Sequence, residues 1–295
     1  MAQYFLLLLP FILAGNALSQ QAVSFKSLDG TEIKAWKFEA QLPVASPSVA
    51  DTPRPTVVAL HGCGGLYGTT GARKGQLNAR HQAMGEMLAG QGYHVVFPDS
   101  LTPRGVASLC ADKIGQRSIT QRERRRDALA ALAWVRSQPW ADPARVAVLG
   151  WSHGGSAVLS ATDANHREVK AAGASFKTAI AFYPGCGESQ RALYHPNTPL
   201  TLFLGADDDW TPSDTCVNLA RHLQIPETQS AFPVKYTLYA GAVHDFDTPL
   251  PGLRERKDVP SRLHPGKGVM VGQNPAARED SWAQVRMILR EAFKP

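Results

Sequence analysis

Val146-Ala147-Val148-Leu149-Gly150-Trp151-Ser152-His153-Gly154-Gly155-Ser156-Ala157-Val158-Leu159 reads as a buried strand, a sharp turn with serine at its tip, and a helix opened by small residues. This pattern is a nucleophile elbow: the strand end holds the Ser152 hydroxyl out at the edge of a sheet. Side chains at 150 and 154 would collide as strand and helix close on each other, so glycine occupies both. The helix N-terminus behind Ser152 supplies partial positive charge and free N–H groups, which suit an oxygen that becomes negative during reaction.

Working outward, apolar runs alternate with helical patterns. Strands are predicted at Thr56–Leu60, Tyr93–Phe97, Val146–Leu149, Thr178–Phe182, Leu200–Leu204 and Val234–Tyr239. Between and after them come helices at Gln76–Gly90, Gln121–Ser137, from His153, at Asp214–Leu223 and at Glu279–Phe293. Val23 to Phe38 forms an antiparallel opening hairpin around Asp29-Gly30, and Pro43 to Pro55 a Pro/Ser/Ala loop. Strands alternating with helices imply an α/β fold with a mostly parallel sheet covered on both faces. No internal repeat or second domain is evident, so 20–295 reads as one domain.

The chain of 295 residues, 44% hydrophobic and 19% charged, can bury a large core and excludes disorder or a membrane bundle. The net charge of +6 has one conspicuous basic cluster, Arg122-Glu123-Arg124-Arg125-Arg126. Glu123 and Asp127 break it up, and it reads as the solvated face of an amphipathic helix rather than a nucleic-acid site. Residues 1–19 differ in kind. The apolar run Phe5–Leu13 is too short to span a bilayer, and Ala17-Leu18-Ser19 offers small residues for cleavage, so export to a bacterial periplasm or beyond is expected, with no lasting membrane insertion. The four cysteines, Cys63, Cys110, Cys186 and Cys216, then meet an oxidising compartment where disulfides form. Their spacing fits no zinc site, and no metal or other cofactor is expected.

In a parallel sheet, functional groups collect beyond the carboxyl ends of the strands. Those positions hold His61-Gly62-Cys63-Gly64-Gly65, Asp99, Ser152, Gly185, Asp207-Asp208-Asp209 and Gly241-Ala242-Val243-His244. A serine hydroxyl becomes an effective nucleophile when a base takes its proton and an acid fixes the base's tautomer. The order Ser, Asp, His along the chain is the one that strand–turn–helix hydrolases use. Among nine histidines, His244 follows the last strand on a loop that can bend back over Ser152; His264 is the reserve. Any of Asp207, Asp208 and Asp209 could supply the acid.

Taken together, the stretches His61 to Gly65, Gly150 to Gly155, Gly205-x-x-Asp208-x-x-x-Pro212 and Gly241 to Asp247 resemble the dienelactone hydrolase family of α/β-hydrolases. The resemblance runs from about Thr56 to the last helix. It implies a central sheet of about eight strands with helices on both faces, and it selects Asp208 as the acid. It also implies an oxyanion hole from the backbone N–H groups of Cys63 and His153, and disulfides Cys63–Cys110 and Cys186–Cys216. Dienelactone hydrolases in the narrow sense carry cysteine where this chain has Ser152, so the reaction class transfers and the lactone specificity does not. The implied activity is cleavage of a small-molecule ester or lactone. A peptidase or acyltransferase is the alternative within the fold, and a non-catalytic binding protein the alternative outside catalysis. Trp151, Trp210 and Tyr67, with Leu66, Tyr183 and Phe246, are candidates to line an apolar pocket, and Arg104 to meet a substrate carboxylate or a surface partner. The segment 248–275 is expected as a flap or an inert loop.

Overall fold

The opening strands β1 (Gln20–Lys26) and β2 (Glu32–Phe38) pair antiparallel across the Asp29-Gly30 turn. After them β3 (Arg54–Leu60), β4 (His94–Pro98), β5 (Ala141–Trp151), β6 (Ala179–Phe182), β7 (Leu200–Gly205) and β8 (Val234–Tyr239) run parallel. The eight strands are ordered β1-β2-β4-β3-β5-β6-β7-β8, with β2 antiparallel to β4. This is a computed structural model, and it describes residues 20–41, 52–69, 71–113, 115–261 and 263–294. The expected leader, 1–19, and most of the loop after β2 lie outside the described residues.

Seven helices connect or flank the strands among the described residues: α1 (Ala79–Ala89), α2 (Gln121–Arg136), α3 (His153–Ala161), α4 (Arg167–Ala171), α5 (Gly187–Arg191), α6 (Asp214–His222) and α7 (Pro275–Ala292). The alternation of side chains along each strand divides the core in two. Val58 and Leu60 of β3 pack with Ala128 and Leu132 of α2, Val158 of α3 and Leu219 of α6. Their neighbours Val57 and Ala59 join Met84 and Leu88 of α1 and Val285 and Leu289 of α7 on the other face. Burial on both faces is why the strands read as unbroken apolar runs.

Capping residues set the helix starts. The Asn78 side chain accepts from the His81 N–H at 3.0 Å, so α1 begins after the expected Gln76. Asn274 caps Ala277 at 3.1 Å with Pro275 in the first turn, so α7 begins ahead of the expected Glu279. Strand β5 starts at Ala141, before the expected Val146, because Ala141 pairs with Arg54 across a register shift in β3. The segment expected as a loop contains an antiparallel hairpin, β9 (Leu253–Pro260) and β10 (Gly268–Gly272), outside the main sheet. Only Val259 is buried along β9, so its sequence carries no strand periodicity.

The basic cluster on α2 departs from the solvated face expected of it. Arg124 is fully buried and donates to the His61 carbonyl at 2.7 Å. Arg125 is buried against Glu168 and Ser160, and Arg126 also pairs with Glu168. The helix turns Arg124 beneath the end of β3 and Arg125 onto α3 and α4, where a loop carbonyl, a hydroxyl and a carboxylate accept from them. Among the described residues no helix is long and apolar enough to cross a membrane.

Candidate active site

Ser152 sits between β5 and α3 at φ 51° and ψ −117°, a region that non-glycine residues enter only when their surroundings enforce it. The enforcement is visible. Its N–H donates to the Phe182 carbonyl at 2.9 Å, and the turn around it is packed backbone to backbone. A Cβ at Gly150 would lie 2.3 Å from the Gly154 oxygen, and one at Gly154 would lie 2.1 Å from the Leu60 oxygen. No side chain fits either space, which is the collision the sequence implied.

His244, in the loop after β8, places Nε2 2.9 Å from the Ser152 Oγ and Nδ1 2.7 Å from Asp208 Oδ2. All three side chains are buried. The Asp208 carboxylate also accepts from the Trp210 and Thr211 N–H groups, each at 2.9 Å, and its Oδ2 lies 2.9 Å from the Thr211 hydroxyl. The two backbone donors fix Asp208 through Oδ1, and Oδ2 is shared between the Thr211 hydroxyl and His244. Burial works to lower the His244 pKa, but the Asp208 charge and hydrogen bond outweigh it and raise the pKa.

The three consecutive aspartates divide cleanly. Asp207 is exposed. Asp209 accepts from the Ser261 hydroxyl at 2.7 Å and the Met270 N–H at 3.0 Å, tying the β9–β10 hairpin to the end of β7. Val259, Val269 and Val271 of that hairpin pack with Trp210. His264 lies exposed in the hairpin's loop, its N–H donating to Ser261 Oγ at 3.0 Å.

The glycine loop after β3 runs against the elbow: a Cβ on Gly62 would stand 3.4 Å from the Trp151 oxygen and 3.6 Å from the Ser152 Cβ. Several ties hold it. Cys63 is bonded to Cys110, Leu109 N–H donates to the Cys63 carbonyl at 2.8 Å, and Arg124 holds the His61 carbonyl. His61 accepts the Ser100 N–H on Nε2 at 3.2 Å, and its pKa is lowered well below normal by burial and by Arg124. It is a neutral structural histidine. His153 is also kept neutral, by burial and by the charges of Arg124 and Arg117. The second disulfide, Cys186–Cys216, links α5 to α6 beside the site.

A recess of ≈170 Å³ opens at Ser152, lined among others by Arg117, Gln121, His153, Ser156 and Trp210. Of the expected substrate contacts, Trp210 is there, with its ring 4.7 Å from that of His244. Trp151 is not. Its ring stacks in the core between Phe97 and Phe182, and its N–H donates to Asp247 at 2.8 Å. Arg104 gives its guanidinium to Asp29, Asp127 and the Ser100 carbonyl, each within 2.9 Å. Tyr67 is half-buried, bridges to Leu77 through its backbone and does not line the recess; Leu66, Tyr183 and Phe246 are core. Arg117, Gln121 and Ser156 carried no sequence signal, because they lie between motifs or one turn past the elbow. A larger recess of ≈860 Å³ lies near Thr178, Leu200 and Lys235, where β6, β7 and β8 begin, at the end of the sheet remote from Ser152.

A parallel sheet with helices on both faces, entered by a strand–serine–helix elbow, defines an α/β-hydrolase. The family model for the dienelactone hydrolase family matches residues 43–293, and the chain belongs to that family. Solved structures repeat the fold. A dienelactone hydrolase-like promiscuous phosphotriesterase from metagenomic libraries has a TM-score of 0.64 at 22% identity, covering 95% of this chain and 100% of its own. Thermogutta terrifontis esterase 2, phosphorylated by paraoxon, has a TM-score of 0.62 at 16% identity, covering 93% and 94%. The same esterase with propionate bound gives 0.60 at 15% identity over 92% and 94%.

Proposed function

We propose that this protein is an exported serine hydrolase that cleaves carboxylic esters or lactones through an acyl-enzyme. The observation that carries this reading is the continuous hydrogen-bonded line Ser152–His244–Asp208 at 2.9 and 2.7 Å. Ser152 Oγ attacks the substrate carbonyl while its proton passes to His244 Nε2. Asp208 fixes the tautomer with hydrogen on Nδ1 and stabilises the imidazolium. The N–H groups of Cys63 and His153 receive the oxyanion. The imidazolium returns its proton to the departing alkoxide, and the C–O bond of the ester breaks. Water then attacks the acyl-enzyme, giving one proton to His244, which passes it to Ser152 as the acid leaves.

The recess of ≈170 Å³ is smaller than the roughly 300–1,000 Å³ of ordinary ligand pockets, which suits a short substrate arm. Export is supported by the leader-like residues 1–19 and by two disulfides in one chain. The test is labelling with a fluorophosphonate, followed by peptide mapping and rates on p-nitrophenyl butyrate. Wild type is expected to label at Ser152, and Ser152→Ala to lose about four to six orders of magnitude in rate. Label on any other residue, or an active Ser152→Ala, overturns the reading.

A further inference from the structure

Beneath the site lies a buried polar cluster that the proposed mechanism does not use. Asp247, three residues beyond His244, is fully buried, yet its carboxylate receives donors from four elements. Trp151 Nε1, adjacent to the nucleophile on β5, donates at 2.8 Å, and Trp282 Nε1 of α7 at 3.4 Å to the same oxygen. The Tyr183 hydroxyl, just past β6, donates to the other oxygen at 2.6 Å, and Arg80 Nη1 of α1 at 3.3 Å. The same Arg80 nitrogen also donates to the Tyr183 hydroxyl and, at 2.7 Å, to Asp245. Arg278 Nε of α7 completes the set on the Asp247 carbonyl at 3.1 Å.

The cluster joins the loop of His244 to the strand end that carries Ser152. Asp245 and Asp247 lie in the His244 loop, and Trp151 precedes Ser152. Tyr183 meets the His244 loop twice, its ring centroid 4.6 Å from that of His244 and its hydroxyl on Asp247. The backbone is bent to suit: Asp245 at φ 65° and Tyr183 at φ 36° are both left-handed. Such conformations persist only when surrounding contacts over-determine them. A buried set of charges adds little stability over an apolar core of equal volume, so its distinctive effect is to fix geometry.

Resting on the proposed function, we infer that Arg80 and Asp247 are positioning residues, which hold the His244 loop in register with the elbow so that Nε2 meets the Ser152 hydroxyl. A positioning error of about 1 Å at a reacting pair costs about 10²-fold in rate. The charges that face His244 are Asp208 from the β7 loop, Asp245 from its own loop and Arg80 from α1. Arg80 lowers the His244 pKa and Asp245 raises it, so loss of Arg80 moves the base upward.

The hydrogen bonds of Arg80 to this cluster all come from Nη1, a position a lysine ammonium can approach. Arg80→Lys is therefore expected to keep kcat for p-nitrophenyl butyrate within about tenfold, and Arg80→Met to lose about 10²-fold with little change in KM. The fluorophosphonate labelling rate falls in parallel, and the acidic limb of the pH–rate profile moves to higher pH in Arg80→Met. Tyr183→Phe and Trp151→Phe each remove one donor to Asp247 without changing charge, and each is expected to slow labelling several-fold if Arg80→Met does not fold. Folded variants that label Ser152 at the wild-type rate, with an unmoved pH profile, overturn the inference. Failure of wild type to label Ser152 refutes instead the proposed function on which it rests.

Discussion

Replacing Asp208 by asparagine separates charge and tautomer from shape. Asp208 Oδ1 accepts two backbone N–H groups, from Trp210 and Thr211, so the amide oxygen of asparagine stays there. The amide NH₂ then replaces Oδ2, which faces His244 Nδ1 at 2.7 Å. The Thr211 hydroxyl adapts, since it can donate instead to the Tyr183 carbonyl at 3.0 Å. The imidazole cannot. It must turn Nδ1 into an acceptor, which puts its proton on Nε2, 2.9 Å from the Ser152 Oγ that the proposed mechanism has it deprotonate. The same tautomer reversal in serine proteases costs about four orders of magnitude, which at 1.36 kcal/mol per decade is about 5.4 kcal/mol of barrier. The fold loses one charge-assisted hydrogen bond, about 1.5–3 kcal/mol, so the variant remains folded with Tm lower by a few degrees. Initial rates on p-nitrophenyl butyrate, with circular dichroism on the same samples, test this. Folded Asp208→Asn within tenfold of wild type would falsify it, as would an equal loss in Asp207→Asn, whose carboxylate is exposed.

Gly154→Ala is expected to yield no soluble folded protein, because its Cβ would sit 2.1 Å from the Leu60 oxygen; soluble, active protein would mean that β3 and α3 do not meet there. Reduction opens cross-links spanning 47 and 30 residues, each worth up to about 4 kcal/mol by loop entropy. Tm under reductant should fall by about 8 °C or more, and an unchanged Tm counts against a stabilising role. Acid should destabilise the fold early. His61 and His153 are held well below normal pKa by burial, His81 at about 3 and His94 at about 4. Since the unfolded chain takes up these protons first, stability falls as pH drops below about 6.5, by up to about 1.4 kcal/mol per pH unit for each histidine. His244 has a raised pKa and acts in the opposite sense, its contribution being lost as pH rises through that value. Urea unfolding at pH 7 and pH 5 measures the sum; equal stabilities would contradict the burial of the four.

Strand–helix alternation made most of the fold legible, because each parallel strand is buried on both faces and reads as an apolar run. The same logic hid β9, whose eight residues are exposed except at Arg256 and Val259. The places of Ser152, His244 and the glycine loop were legible, since Ser152 and the loop directly follow β5 and β3 and His244 lies five residues past β8. Choosing among Asp207, Asp208 and Asp209 from residue type alone was not open, because only the turn after β7 decides which carboxylate points inward. Trp151 and Tyr183 look in sequence like pocket aromatics. In the structure their polar ends are what matter, bound to a buried carboxylate that no local pattern announces. Arg104 and Arg124 show the same limit: sequence gives a positive charge, and tertiary packing decides whether solvent or a buried acceptor receives it.

The β9–β10 hairpin leaves and rejoins the chain at almost one point, as Leu253 and Gly272 are cross-strand partners. It is therefore a cassette. Exchanging its distal portion would change what packs behind Trp210, a lining residue of the recess, while leaving the sheet that carries Ser152 in place, provided that the Asp209 contacts and the Val271 bridge to His244 are retained. Sequence change in that hairpin can proceed without reopening the folding problem of the sheet.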